Sequence, residues 1–122
     1  MFDWLRKQPD WSFEFVADVN YPDGAVVKPG QSITKAWLFK CIRPEGSSGK
    51  TAKRTSGDFG PEEFVLPGAK YDEEVIVSTK FIVPTTPGLH RATYHIYDQR
   101  SRTRKRALGF WVEVRVVQAK AS

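Results

Sequence analysis

The sequence predicts an immunoglobulin-like antiparallel β-sandwich of about seven strands, because short alternating segments and turn residues dominate the chain. Apolar and polar residues alternate through several segments, as they do in strands that are buried on one face. Eight prolines and nine glycines supply turns between these segments at the spacing of a sandwich. Helical periodicity is almost absent, and an up-and-down β-barrel is the alternative arrangement of the same strands.

The longest patterned segment is the strand predicted at residues 31–41. Two turn signals precede it, Pro22-Asp23-Gly24 and Lys28-Pro29-Gly30. Four apolar residues share one face of this strand: Ile33, Trp37, Phe39 and Cys41. A tryptophan and a phenylalanine on one face need a second sheet to bury them, which favours a sandwich.

Shorter segments supply the other strands, and the last two of them form a long antiparallel hairpin. The predicted ranges are 11–16, 25–28, 64–66, 74–83, 89–98 and 107–117. Residues 43–57 have almost no apolar content and many flexible residues. We therefore expect a long, mobile surface loop there.

The chain has the length of a single domain, 122 residues, with 40 % hydrophobic and 27 % charged residues. No apolar run approaches the roughly 20 residues of a membrane span. The N-terminus lacks the apolar core and cleavage site of a signal peptide. Cys41 is the single cysteine, which excludes an internal disulfide and predicts a cytoplasmic protein with a buried, inert thiol.

Three regions are predicted: an arm at residues 1–11, the domain at 12–118 and a C-terminal tail at 119–122. Phe2, Trp4 and Leu5 of the arm could form one amphipathic helical turn. The arm is expected to pack on the edge of the domain. The alternative is an anchor for a membrane surface or a partner.

The net charge of +5 is concentrated in a few places, most clearly in the predicted hairpin tip. Its five cations are Arg100, Arg102, Arg104, Lys105 and Arg106. A tip with this charge could bind the phosphates of nucleic acid or of anionic lipid. It has no aromatic residue for base stacking, so the alternative is a solvated tip that contacts acidic surfaces in an assembly.

Catalysis is not expected from this sequence. His90 and His95 are an odd number of residues apart in one strand, so they face opposite ways and cannot bind one metal ion together. No Ser-His-Asp set is suggested, and the acids lie in turn-like or solvated segments. No cofactor and no metal are predicted.

The outer face of the final hairpin is the candidate contact surface for a partner. Phe110 and Val112 begin the inward face of the last strand, so Trp111 and Arg115 face outward with His95 and Tyr97 of the preceding strand. Exposed Trp, Tyr and Arg together are typical of interfaces. The candidate residues are Trp111, His95, Tyr97 and Arg115. In the alternative, the N-terminal arm or the 42–58 loop covers Trp111.

The opening of the domain resembles the FW domain, an immunoglobulin-like module named for four tryptophans. The resemblance rests on the Pro22-Asp23-Gly24 turn, then Pro29-Gly30, Lys35 and Trp37, at the family's spacing. The FW domain is best known in autophagy cargo receptors of the neighbour-of-BRCA-one type, and it also occurs in bacterial proteins.

Later positions extend this resemblance to most of the chain. Gly88 followed by Tyr94 occupies the place of the third signature tryptophan, and Gly109 followed by Trp111 matches the fourth. Trp37 matches the first, and the second has no equivalent here. The resemblance implies a non-enzymatic module that binds a cargo or another protein partner. The alternatives are a nucleic-acid-binding protein that uses residues 100–106, and a structural subunit of a larger assembly.

Overall fold

The computed structural model describes residues 12–98 and 109–118. All regular secondary structure within these ranges is β-strand. The eight strands are β1 (Phe13–Asp18), β2 (Ala25–Val27), β3 (Ser32–Cys41), β4 (Lys50–Ser56), β5 (Glu63–Val65), β6 (Glu74–Ile82), β7 (Gly88–Asp98) and β8 (Gly109–Val116). They form a three-stranded sheet in the order β1-β3-β6 and a five-stranded sheet in the order β2-β8-β7-β4-β5. The predicted all-β sandwich is confirmed. Within the described ranges, no helix is long and apolar enough to span a membrane.

The core lies between the two sheets and is built around Trp37, which is fully buried as the alternation in β3 predicts. Its ring contacts Phe110 of the opposite sheet edge-on, with 4.8 Å between the ring centroids. Phe39 makes the same kind of contact with Phe110 at 5.1 Å. Edge-to-face pairs of this kind contribute roughly 0.5–1.5 kcal/mol each beyond the area they bury. The rings therefore fix the two sheets against each other.

The predicted final hairpin is confirmed, with its inner and outer faces as expected. Strands β7 and β8 are antiparallel, and their register places Arg91 opposite Glu113, Thr93 opposite Trp111 and His95 opposite Gly109. The inward side chains are buried: Ala92, Tyr94, Ile96, Phe110, Val112, Val114 and Val116. Tyr94 donates a hydrogen bond from its hydroxyl group to the Pro61 carbonyl oxygen at 2.7 Å.

The predicted surface loop at 43–57 is wrong over its second half, because residues 50–56 form strand β4 inside the five-stranded sheet. Strands β5 and β7 pair with β4 on its two sides, so backbone hydrogen bonds rather than apolar side chains define it. Ala52 lies opposite Phe64 and Ile96 and is buried. Because the inner face of β4 carries small and charged residues, the strand has no alternating apolar pattern that would predict it.

Strand β1 starts at Phe13 and continues to Asp18, so it is shifted by two residues from the predicted strand at 11–16. Trp11 and the rest of the arm lie outside the described residues. A β-bulge between Phe15 and Ala17 shifts its pairing with β3. Phe15 lies opposite Phe39 on the inner side of the sheet, yet it is 40 % exposed. The edge of the sandwich is thus open beside Phe15.

Lys35 is the unexpected member of the core, since its side chain is only 1 % exposed. Its ammonium group donates hydrogen bonds to Asp18 Oδ1 at 2.8 Å and to the carbonyl oxygens of Asn20 and Tyr21. All three donors of the ammonium group therefore have partners. These bonds hold the turn that follows β1 against β3, and that turn leads directly to Asp23.

Candidate partner-binding surface

Trp111 lies on the outer face of β8 and is 38 % exposed, as the hairpin pattern predicts. Its indole Nε1 donates a hydrogen bond to Asp23 Oδ1 at 3.0 Å. Asp23 belongs to the predicted turn before β2, in which Gly24 has a φ of 82°. The Gly24 amide donates to the Glu113 carbonyl at 3.1 Å, so the turn is fixed to the strand that carries Trp111.

Arg91 stacks on Trp111, with its guanidinium carbon 4.8 Å from the ring centroid. Its Nε and Nη2 atoms both donate to Glu113 Oε2, at 3.1 and 2.9 Å. Because Arg91 and Glu113 are direct cross-strand neighbours, the ion pair holds the guanidinium group over the ring. A cation–π contact at an exposed site contributes about 0.5–1 kcal/mol.

The backbone of Trp111 is fixed from the core side. Its carbonyl oxygen accepts a hydrogen bond from the Trp37 indole Nε1 at 2.9 Å. Trp37 and Trp111 thus contact each other across the sandwich. Trp111 is held by its carbonyl, its indole nitrogen and one ring face. A side chain ordered in this way loses little conformational freedom when a partner covers it.

The other three predicted residues share the outer face with Trp111. His95 lies opposite Gly109 and is therefore a diagonal neighbour of Trp111. Its Nδ1 atom is 2.9 Å from Thr55 Oγ1. Tyr97 lies two residues further along β7, half-buried, and Arg115 lies exposed on the far side of Glu113. The structure places the four residues on one face, with His95 nearest to Trp111.

Three residues that hold Trp111 in place are not among the predicted contact residues: Asp23, Arg91 and Glu113. Arg91 could have been found from the register of the predicted hairpin, since it sits diagonally across from Trp111. Asp23 gave no such signal. Its contact depends on the parallel pairing of β2 with β8, which joins segments 88 residues apart.

The position of the 42–58 segment argues against the alternative in which this segment covers Trp111. Strand β7 separates β4 from β8 in the sheet, so the 42–58 segment reaches the opposite side of β7. The predicted cover by residues 1–11 falls outside the described ranges. In the described part of the chain, Asp23 and Arg91 both contact the Trp111 ring system.

A groove of about 310 Å³ opens beside Trp111, between β1 of one sheet and β8 of the other. It is lined by Phe15, Asp18, Asp23, Gly109, Phe110 and Trp111. The bulge in β1 leaves the Phe15 ring exposed at this opening. The groove therefore combines aromatic walls with two carboxylates.

The predicted anion-binding residues Arg100, Arg102, Arg104, Lys105 and Arg106 lie outside the described residues. The strands that flank them end at Asp98 and begin at Gly109. Lys50 is the register partner of Asp98, so β4 starts at the same end of the sandwich. The connection between β3 and β4, with Arg43, thus lies at the end where this segment begins.

His90 and His95 lie on opposite faces of β7, as predicted, because His90 pairs with Val114 on the inner side and His95 with Gly109 on the outer side. Cys41 is buried, as predicted. Across residues 12–98 and 109–118, no group of three or more His, Cys, Asp or Glu side chains could hold a metal ion.

No protein-family model matches the chain, and no curated protein matches it in sequence. Among solved structures, the CARDB domain of a Pyrococcus furiosus protein is similar with a TM-score of 0.53 and 16 % identity, over 90 % of this chain and 98 % of that one. A member of the MSP family from C. elegans has a TM-score of 0.45 and 7 % identity, over 79 % and 94 % of the two chains. A PapD-like domain of human CEP192 has a TM-score of 0.46 and 11 % identity, over 89 % and 87 %.

The likeness to the CARDB domain supports the immunoglobulin-like β-sandwich. At this level of identity it concerns the fold alone. The narrower resemblance to the FW domain is not shown by these comparisons and stays a prediction.

Proposed function

We propose that this protein is a non-enzymatic module that binds a protein partner through a surface centred on Trp111. The observation that carries the proposal is that a large aromatic side chain is 38 % exposed and yet held in one position by Asp23 and Arg91. Tryptophan and arginine are the residues most enriched among those that dominate binding energy at protein interfaces. A pre-ordered pair of this kind is suited to recognition.

The expected contribution of Trp111 follows from its exposure. A tryptophan side chain buries about 150–250 Å², so the exposed 38 % corresponds to roughly 60–95 Å². Covering that area at about 25 cal/mol per Å² stabilises a complex by roughly 2 kcal/mol. Such a gain corresponds to about a 30-fold change in the dissociation constant.

His95, Tyr97 and Arg115 form the surroundings of this contact in our proposal. They carry one imidazole, one phenol and one guanidinium group on the same sheet face. The resemblance of the Trp37 and Trp111 segments to the FW domain supports a cargo or another protein as the partner. The single cysteine, Cys41, supports a cytoplasmic location. The proposal needs no cofactor.

The test compares Trp111→Ala with Ile76→Ala in capture of partners from a lysate of the source cells, followed by affinity measurement with the purified partner. Ile76 is 51 % exposed on the outer face of the other sheet, so its truncation removes a similar apolar area elsewhere. We expect Trp111→Ala to weaken binding about 30-fold and Ile76→Ala to leave it unchanged. Equal affinities for the two variants would refute the proposal.

Nucleic-acid binding is the second candidate. Lys50 pairs with Asp98, so the start of β4 lies at the same end of the sandwich as the beginning of the arginine-rich segment, and this placement favours the candidate. A variant with Arg102, Arg104 and Arg106 changed to Ser tests it. Recovery of nuclease-sensitive material that this variant loses, with binding that falls steeply as salt rises, would support phosphate contacts. Binding through Trp111 should depend weakly on salt.

A structural subunit is the third candidate, with residues 1–11 as a docking element. Its test is the oligomeric state of the chain without residues 1–11, measured beside that of the full chain. An unchanged state in a stably folded variant would count against it.

A further inference from the structure

We infer that the groove between β1 and β8 accepts an extended segment of the partner, which adds as a strand to β8 and places an apolar side chain flanked by Lys or Arg in the groove. This inference rests on the proposed function, since Trp111 forms one wall of the groove. It adds the mode of binding and the chemistry of the ligand.

The edge of β8 is open along the groove. Strand β2 pairs with β8 only from Val114 to Val116, and the turn before it reaches Glu113. From Gly109 to Val112, β8 has β7 on one side and no strand from the described ranges on the other. An extended chain can bind such an edge with main-chain hydrogen bonds.

Two hydrogen bonds show in which direction the backbone amide and carbonyl groups of β8 point. The Glu113 carbonyl accepts from Gly24, and the Trp111 carbonyl accepts from Trp37, so neither points at β7. In an antiparallel ladder such residues alternate with those bonded to the neighbour. Gly109 therefore also directs its amide and carbonyl away from β7. The amides of Gly109 and Trp111 and the carbonyl of Gly109 face the groove edge.

The walls of the groove favour an apolar side chain. Phe15 presents an exposed ring from β1, and Phe110 and Trp111 line the facing wall. A volume of about 310 Å³ lies at the lower end for ligand pockets, which suits one side chain of an extended segment.

The charge of the groove favours a cation beside that side chain. Asp18 already pairs with Lys35. Asp23 accepts a hydrogen bond from the neutral indole of Trp111, and no cation in the described ranges forms an ion pair with it. Since Asp23 is exposed at the rim, a Lys or Arg of the ligand can approach its carboxylate. A peptide with Glu at the same positions would be repelled.

The experiment titrates the isotope-labelled full chain with two synthetic twelve-residue peptides and follows its amides by NMR. Both peptides alternate Thr and Val around a central Leu, and the Leu is flanked by Lys in one and by Glu in the other. We expect the Lys peptide to bind about five-fold more tightly or better. Its binding should protect the Gly109 and Trp111 amides from hydrogen exchange, and N-methylation of its backbone on one edge should abolish binding.

Asp23→Asn is the informative variant, because its amide oxygen can still accept the Trp111 indole hydrogen bond while the charge is gone. It should reduce the preference for the Lys peptide several-fold. Glu14→Gln is the matched control, since Glu14 is an exposed acid of β1 that lies opposite Lys40 on the outer face. It should leave the preference unchanged.

Three results would overturn the inference. One is failure of the Lys peptide to bind, and another is binding that shifts His95 and Arg115 but leaves the Gly109 and Trp111 amides unprotected. The third is full protection of these amides in the free protein, which would mean that the chain itself or a second copy already occupies the edge. In each case a loss of partner binding in Trp111→Ala would still support the proposed function.

Discussion

Replacing Lys35 with Met tests whether one buried ammonium group organises the turn that carries Asp23. Methionine keeps most of the length and apolar packing of the lysine stem. It removes the ammonium donor that the Asp18 carboxylate and the carbonyls of Asn20 and Tyr21 share. The packing cost is therefore small, and the measured change reports on the lost polar contacts.

The magnitude follows from those three acceptors. A buried carbonyl that loses its donor costs about 1 kcal/mol or more. Removing one partner of a fully buried ion pair costs about 3–5 kcal/mol, but Asp18 is 29 % exposed and water can solvate part of it. We expect a loss of about 3 kcal/mol in the free energy of unfolding, which lowers the melting temperature by about 12 °C in a domain of this size.

The assay is urea unfolding followed by tryptophan fluorescence, with Lys80→Met as the control. Lys80 is exposed on the outer face of β6, so its replacement should change stability by less than about 0.5 kcal/mol. In the double variant with Asp18→Asn, the unpaired carboxylate is absent, and about 1–2 kcal/mol should be recovered. Equal unfolding midpoints for Lys35→Met and Lys80→Met would refute the reasoning.

Two further predictions concern the core next to β4. Burial raises the pKa of Tyr94 to about 12 from 10.0, so the unfolded chain loses this proton first and stability should fall as pH rises from 10 to 12. Tyr94→Phe should lower the free energy of unfolding by about 1–2 kcal/mol at pH 7, because the hydrogen bond to the Pro61 carbonyl is lost. In calorimetry, the fall in stability between pH 10 and 12 should be smaller in Tyr94→Phe than in the control Tyr71→Phe. Gly60 has a φ of 89°, and an added Cβ would lie 2.4 Å from the Phe81 ring, so Gly60→Ala should destabilise the protein by more than about 2 kcal/mol in urea unfolding. Gly24→Ala has a similar φ of 82° with nothing within 4 Å, and it should cost only about 1 kcal/mol; equal losses at the two glycines would show that the backbone conformation alone accounts for the effect.

The sequence was informative wherever large apolar residues alternate with polar ones. Burial on one side of a strand has a period of two, so the pattern predicts the correct faces for Trp37 and Phe39 in β3 and for Phe110 to Val116 in β8. The apolar pattern does not predict strand β4, because pairing with two neighbouring strands stabilises it and Ala52 is its one buried apolar side chain. Alternation cannot report a strand whose inner face is small and charged.

The sequence predicts the exposed position of Trp111, at the centre of the candidate surface, but not the residues that hold it in place. The outward direction of Trp111 follows from its position in an alternating strand. Its contact with Asp23 follows from the packing of two distant segments. Lys35 lies on the inward face of β3, between Ile33 and Trp37, but the acceptors of its ammonium group come from the turn after β1, and no spacing in the sequence predicts them. The groove depends on a bulge in β1, which has no marker such as glycine at Phe15 or Ala17.

The parallel pairing of β2 with β8 also determines how the sandwich would respond to mechanical force. Ala25 to Val27 lie beside Val114 to Val116 with both strands running in the same direction. If Gly24 is pulled one way and Val117 the other, the strands slide past each other and their hydrogen bonds are loaded together. An antiparallel hairpin pulled at its two ends opens one bond at a time. The bonds of Gly24 to Glu113 and of Val117 to Val27 bracket this pair of strands and act as a clamp against extension.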